Sequence, residues 1–349
     1  MTKHKKIKVG ITSGDINGIG IEVSLKALSD SRVYEKCTPI IYASKNLISA
    51  YEKEVKMEGI HFKVIKSAEE ADPKKINVVN CLSPEVKLEL GTSTKEGGAA
   101  SLTSLQSAVE DIASNKIDVL VTAPINKNNI QSDDFAFPGH TEYLANYANE
   151  DHPLMILAHD DLRVALVTGH IALNEVSSKL TSDLILSKIR VLNKSLKQDF
   201  GIHRPRIAVL GLNPHNGDKG LMGDEEETIV APAVEKAVEE NILAFGPFPA
   251  DGFFGSPGRR NFDAVLALYH DQGLAPFKAM AFDEGVNFTA GLPIVRTSPD
   301  HGVAYDIAGK GLASETSMRQ AIRAACDIYL NRKAHRDLTS NVLEVSKKK

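Results

Sequence analysis

Three histidines stand where strand-like runs break off: His170 in VALVTGH, His215 in IAVLGLNPH and His270 in AVLALYHD. Each run is rich in Val, Leu, Ile and Ala, the composition of a buried strand, and stops at Gly, Asn-Pro or His-Asp. In open α/β sheets, ligands collect beyond the carboxyl ends of the strands. Three imidazoles delivered there could share one divalent metal and leave a position open for a substrate. Asp251 in GPFPADGFF, and Asp271 directly after His270, are carboxylates able to orient a ligand histidine or accept a proton. His152 and His159 flank another strand and stay open as alternatives. His4, His61, His203 and His335 lie in polar or terminal segments.

A second set of residues suits an anion. In FPGHTEYL, the Pro138-Gly139 turn is followed by His140 and Thr141 at a helix start, where free amides and the helix dipole favour a phosphate or carboxylate. Lys278, Asn287 and Arg296 recur at intervals of nine residues through a loop-and-strand region. A lysine and an arginine near a metal would clamp a phosphate and a carboxylate, whereas as isolated residues they would be ordinary surface charges. Two further turns follow strands: the Gly-rich GITSGDINGIG, and VTAPINK with Asn126 and Lys127 on its rim. The first matches neither GxGxxG nor the P-loop, so it reads equally as an anion cradle or as a tight turn without a ligand.

The elements that must carry these residues alternate. Strands are expected at Ile7–Thr12, 39–43, Ile76–Asn80, 118–123, 154–158, 164–168, 206–212 and 264–269. Between them fall amphipathic helices. Ser93 to Glu96 reads as a capping box ahead of a face of Leu102, Leu105, Val109 and Ile112. Ile185, Ile189, Leu192 and Leu196 form a second face, and Met318, Ile322, Ala325 and Tyr329 a third. Asp224 to Glu227 put acid where a helix N-terminus favours it. Such βα alternation argues for α/β architecture with largely parallel sheets covered by helices. At 349 residues the chain exceeds one usual core, so two domains are expected, with the chain changing domain near 126–139 and returning near 296–300.

Composition excludes several classes. Hydrophobic residues are 42% and charged residues 25%, with a net charge of −4, which gives no reason for a nucleic-acid or membrane partner. The lysines clustered at both termini read as solvated tails. No run reaches the roughly 18 apolar residues of a membrane span, and no signal peptide precedes the first strand. Cys37, Cys81 and Cys326 have no ligand or redox spacing, which points to free thiols and a cytoplasmic location.

Taken in order, GITSGDINGIGIE, VTAPINK, FPGHTEYLA, NPHNGDKGLMGDEE, GPFPADGFF, YHDQGLAPFK and VNFTAGLPIVRTSPDHGVAYDIAGKG resemble the 4-hydroxythreonine-4-phosphate dehydrogenase family of pyridoxal phosphate biosynthesis. The closing HGVAYDIAGKG is also similar to the cofactor loop of isocitrate and isopropylmalate dehydrogenases. Two departures stand out: Ile16 replaces a usual proline, and Gly169 separates Thr168 from His170.

The resemblance implies two α/β/α domains, here 1–131 with 300–349, and 132–299 carrying the metal and substrate residues. It implies a homodimer with the active site at the subunit interface, NAD or NADP as oxidant, and zinc, cobalt or magnesium. By motif, the metal ligands are His170, His215 and His270, one of which can come from the partner subunit. The substrate contacts are His140, Thr141, Lys278, Asn287 and Arg296, with Gly302 and Asp306 on the cofactor loop. Lys278 and Asp251 are the candidates for proton transfer. The implied reaction is metal-assisted oxidation of 4-phosphooxy-L-threonine and decarboxylation to 3-amino-2-oxopropyl phosphate. Two rivals share the phosphate grip: a dehydrogenase of D-threonate or D-erythronate 4-phosphate, and a non-catalytic phosphometabolite-binding protein.

Overall fold

A computed structural model describes residues 6–57 and 59–340. Lys3, His4, Lys5 and Lys347 to Lys349 lie outside the described residues. Twelve strands follow in chain order: β1 (Ile7–Thr12), β2 (Cys37–Ala43), β3 (Phe62–Ile65), β4 (Ile76–Asn80), β5 (Val119–Val121), β6 (Leu154–His159), β7 (Leu162–Leu166), β8 (Arg206–Leu210), β9 (Leu243–Phe248), β10 (Ala264–Ala267), β11 (Val286–Ala290) and β12 (Arg296–Pro299). All eight expected strands form, most within two residues of the expected ends. The helical faces also form: Leu102, Leu105, Val109 and Ile112 are buried on Lys95–Ala113, and Ile185, Ile189, Leu192 and Leu196 on Ser182–Gln198. The cap of the first of these helices is Thr94, whose hydroxyl accepts from Gly97 N at 3.0 Å. Glu96 instead accepts from Lys87 N, so no capping box forms there.

The chain divides into two compact units. Among the described residues the first spans 6–163 and Leu274–Cys326; the second spans Val164–Gly273 and 327–340. This differs from the expected division at 131 and 299. Two strands outside the expected set, β11 and β12, join the first unit. β12 pairs with β5 and β11 pairs with β6, so 286–299 belongs to the first unit's sheet. His140, Thr141, Lys278, Asn287 and Arg296 therefore fall in the first unit, not with the histidines.

In the first unit the strand order is β3-β4-β2-β1-β5-β12-β11-β6. Every pairing is parallel except the two made by β11. The turns after β1, β5 and β12 consequently emerge at one edge, with the start of β11. In the second unit the order is β7-β10-β8-β9, all parallel. Among the described residues no helix is long and apolar enough to cross a membrane.

Candidate functional site

The second unit answers the question of whether the histidine-bearing strands are neighbours. β10 lies between β7 and β8 and runs parallel to both, so His170, His215 and His270 leave the sheet at the same carboxyl edge. Two short ties set the spacing there. Thr168 N and Oγ1 both donate to Leu268 O, at 3.1 and 2.7 Å, and the Gln272 side chain bridges Leu268 N and Gly211 O.

The ring centroids of His170 and His270 stand 5.7 Å apart. Two imidazoles on one tetrahedral ion, with nitrogens about 2.0–2.1 Å from the metal, hold their centroids roughly 5 Å apart. A small ring rotation therefore suffices for one shared ion, and these two residues fit a divalent metal. His270 Nδ1 lies 2.6 Å from Asp271 Oδ1, an arrangement that directs the Nδ1 proton to the carboxylate and leaves Nε2 as the donor to a metal. No group of three or more His, Cys, Asp or Glu among the described residues is arranged to hold an ion. His215 thus shares the edge without completing the pair's donor set within one chain.

The backbone at His215 is unusual. His215 and Asn216 are left-handed, with φ of 52° and 56°, ahead of Gly217 at 75°. Left-handed non-glycine residues cost of order 1–3 kcal/mol each and persist only where the surroundings over-determine them. Glu226, 2% exposed, does this work upstream. Its Oε1 accepts from Leu212 N at 2.7 Å and Asn213 N at 2.6 Å, and its Oε2 from Asn213 Nδ2 at 3.0 Å. Downstream, Asn216 Nδ2 donates to Pro247 O at 2.8 Å. The acids at 224–227 had read only as helix-dipole partners; Glu226 is instead a buried anchor for the His215 loop. Asp251 is exposed in the first turn of Ala250–Gly255.

The first unit holds the anion-binding candidates. Arg296 is 3% exposed, and its guanidinium donates to Thr122 Oγ1 at 2.6 and 3.0 Å and to Thr289 Oγ1 at 3.1 Å. Burial pushes its pKa down to about 10, so it keeps its charge at neutral pH. The Glu142 charge works against that lowering, while the hydrogen bonds of the guanidinium go to neutral hydroxyls, which suits it to take an anion directly. Asn287 pairs with Ser298 across the β11–β12 ladder, which puts it two residues from Thr289 on the same face of the sheet. Its buried Oδ1 has no hydrogen-bond partner.

His140 opens the helix His140–Ala148 and is buried, with Nε2 unpartnered. Thr141 follows it, half-buried. Burial, then the charges of Arg296 and Lys127, hold the His140 pKa well below the usual histidine value. In the unfolded chain the imidazole titrates near about 6.5, so below that pH the unfolded chain takes up a proton that the folded one refuses. Stability is therefore lost as pH falls through that region and rises again with pH. Urea midpoints at pH 7.5 and 5.5 should converge when His140 is replaced by Gln; an unchanged difference between the two pH values would remove His140 as the cause.

Lys278, half-exposed, pairs with Asp300 Oδ1 at 3.4 Å. Gly302 and Asp306 are exposed on the segment after β12, and a Cβ at Gly302 would meet nothing within 4 Å. That open backbone fits the approach of a dinucleotide. The segment is held by Tyr305 Oη, which donates to Asp15 Oδ2 at 2.7 Å and accepts from Asn126 Nδ2 at 3.0 Å, and by Ile19 N donating to Val303 O at 3.0 Å. The Gly-rich turn after β1 is spent on this bracing. Asp15 N, Asn17 N, Gly18 N and Ile19 N all donate within the protein, so these four amides are not offered to an anion. Asn126 likewise braces the loop, and Lys127 is exposed. His159 sits 3.5 Å from both Asp160 and Glu284, with carboxylates rather than with the other histidines.

Residues 35–325 match the family model described as pyridoxal phosphate biosynthetic protein PdxA. The 4-hydroxythreonine-4-phosphate dehydrogenase of Bacteroides thetaiotaomicron is 52% identical over 98% of this chain and 94% of its own. A relative from Oceanobacillus iheyensis, described provisionally as a D-threonate 4-phosphate dehydrogenase, is 37% identical over 93% of this chain and 98% of its own. The crystal structure of 4-hydroxythreonine-4-phosphate dehydrogenase from Klebsiella pneumoniae superposes with a TM-score of 0.83 at 34% identity, covering 94% of this chain and 99% of that one.

Proposed function

The chain belongs to the PdxA family of pyridoxal phosphate biosynthetic proteins, and from that premise we propose that this oxidoreductase converts 4-phosphooxy-L-threonine, with NAD or NADP, to 3-amino-2-oxopropyl phosphate and carbon dioxide. The observation that carries the substrate class is Arg296, a buried guanidinium hydrogen-bonded only to hydroxyls. A phosphorylated substrate supplies the missing anion. A non-catalytic binding protein would need such a grip as well, but not the paired histidines at the neighbouring strand ends.

The roles of the chain's own residues follow from their chemistry. The Arg296 fork, fixed by two threonines, offers N–H donors to phosphate oxygens. His140, neutral, adds a hydrogen bond without competing for charge, and the Thr141 hydroxyl and the Asn287 amide fix the orientation. Lys278 is the proton-transfer candidate, since the Asp300 carboxylate holds its ammonium in place. Asp251 is retained as an alternative carrier. His170, His215 and His270 would hold a divalent metal, which would supply Lewis acidity, and Gly302 and Asp306 would hold a dinucleotide, which would supply a hydride acceptor. One of the three histidines would come from the partner subunit of a homodimer, as the family resemblance implies.

The test follows NADH or NADPH formation with 4-phosphooxy-L-threonine and D-threonate 4-phosphate in parallel. The expected result is a higher kcat/KM for the amino acid. Preference for the sugar acid would transfer the chain to the second activity, and binding of either without turnover would make it a binding protein.

A further inference from the structure

Cys37 and Cys326 serve none of the roles above, yet they line one cavity of about 410 Å³. Cys37 is the first residue of β2, and Cys326 lies on the helix Thr316–Thr339. They are 1% and 2% exposed, and their side chains are hydrogen-bonded to each other. Cys37 Sγ also reaches Val33 O at 3.3 Å. The same cavity carries Arg32, Lys36, Arg319 and Arg323, against the carboxylates of Asp30 and Glu35.

The chemistry at Cys37 is set by opposing effects. The hydrogen bond from Cys326 lowers its pKa, burial works the other way, and the Lys6 ammonium adds to the lowering, so the net direction is downward. Cys81 shows the contrast: burial dominates there and pushes its thiol up to about 11. Two of the three thiols therefore face one cavity, and at Cys37 the surroundings lower the thiol pKa.

We propose that Cys37 and Cys326 form a redox pair that hydrogen peroxide converts to an intramolecular disulfide, Cys37 attacking and Cys326 resolving. The Cys37 thiolate attacks one peroxide oxygen and the O–O bond breaks. The second oxygen leaves as hydroxide and, with the proton Cys37 gave up, becomes water. Cys37 is then a sulfenic acid. The Cys326 thiol attacks the sulfenic sulfur, and its proton leaves with the displaced hydroxyl as a second water. Two thiols are oxidised and one peroxide is reduced to two waters. The bond closes a loop of most of the chain and ties β2 to the last described helix, which constrains the unfolded state.

The experiment treats the full-length protein with hydrogen peroxide, alkylates it after denaturation without reductant, and maps the peptides. The expected result is loss of two of the three titratable thiols, a peptide linking Cys37 to Cys326, Cys81 still alkylated, a raised Tm, and reversal of all of these by dithiothreitol. In Cys326→Ser the Cys37 sulfenic acid should persist and be trapped by a cyclic diketone. Retention of all three thiols, oxidation of Cys81 first, or no trapped adduct in Cys326→Ser would overturn the proposal.

Discussion

Replacing Arg296 by Met is expected to lower kcat/KM for the phosphorylated substrate by roughly 30- to 5,000-fold while leaving the protein as stable as before, or more so. The kinetic range follows from the roughly 2–5 kcal/mol lost when one partner of a buried, hydrogen-bonded charge pair is truncated, at about 1.36 kcal/mol per tenfold. The stability expectation has the opposite sign because the substrate is absent during unfolding. Without substrate, the guanidinium bears the cost of burial against three hydrogen bonds to two hydroxyls and the charge of Glu142, which is not hydrogen-bonded to it among the described contacts. Met fills much of the volume without a charge. Arg296→Lys should fall between the two kinetically, since an ammonium keeps the charge and loses the planar fork. Steady-state kinetics and urea unfolding read both quantities. A variant with wild-type KM, or one strongly destabilised, would make Arg296 a structural residue instead.

Replacing His270 by Ala is expected to remove bound metal and lower turnover on the order of 1,000-fold, since a metal contributes several kcal/mol of charge stabilisation in such reactions. The fold should survive: His270 is partly exposed, and the ties at its strand end are made by Thr168, Gln272 and Leu268 rather than by its ring. Chelation of the wild-type protein should reproduce the loss, and added zinc, cobalt or magnesium should restore it. Asp271→Asn should cost less, roughly 10- to 100-fold in metal affinity, because it alters only the partner of Nδ1. Metal analysis of untagged protein beside the rates decides the matter. Full activity in the chelated wild type would end the metal assignment, and full metal occupancy in His270→Ala would move the site elsewhere.

The strands that escaped the sequence reading share a cause. β3 is a four-residue strand with one buried residue, Ile65, and β9 reads LAFGPF with a Gly-Pro near its end. β11 and β12 are five and four residues long and carry Asn, Thr, Arg, Ser and Pro. Local propensity places such residues in loops, yet β12 is entirely buried because strands flank it on both sides. The contact grouping that includes β11 and β12 places Lys278, Asn287 and Arg296 in the first unit.

Hydrophobic period and turn residues, both local properties, were enough to establish the βα alternation, the buried helix faces and the three histidines at strand ends. The ordered motifs were enough for the family. Adjacency was decided only by the tertiary structure: β10 between β7 and β8, which sets two imidazole rings 5.7 Å apart. So were the bracing use of the Gly-rich turn, the anchoring role of Glu226, the hydroxyl partners of the Arg296 guanidinium and the shared cavity of Cys37 and Cys326. Each of these depends on which distant segments are packed together and on which polar groups burial leaves without a partner. Neither is a function of sequence spacing.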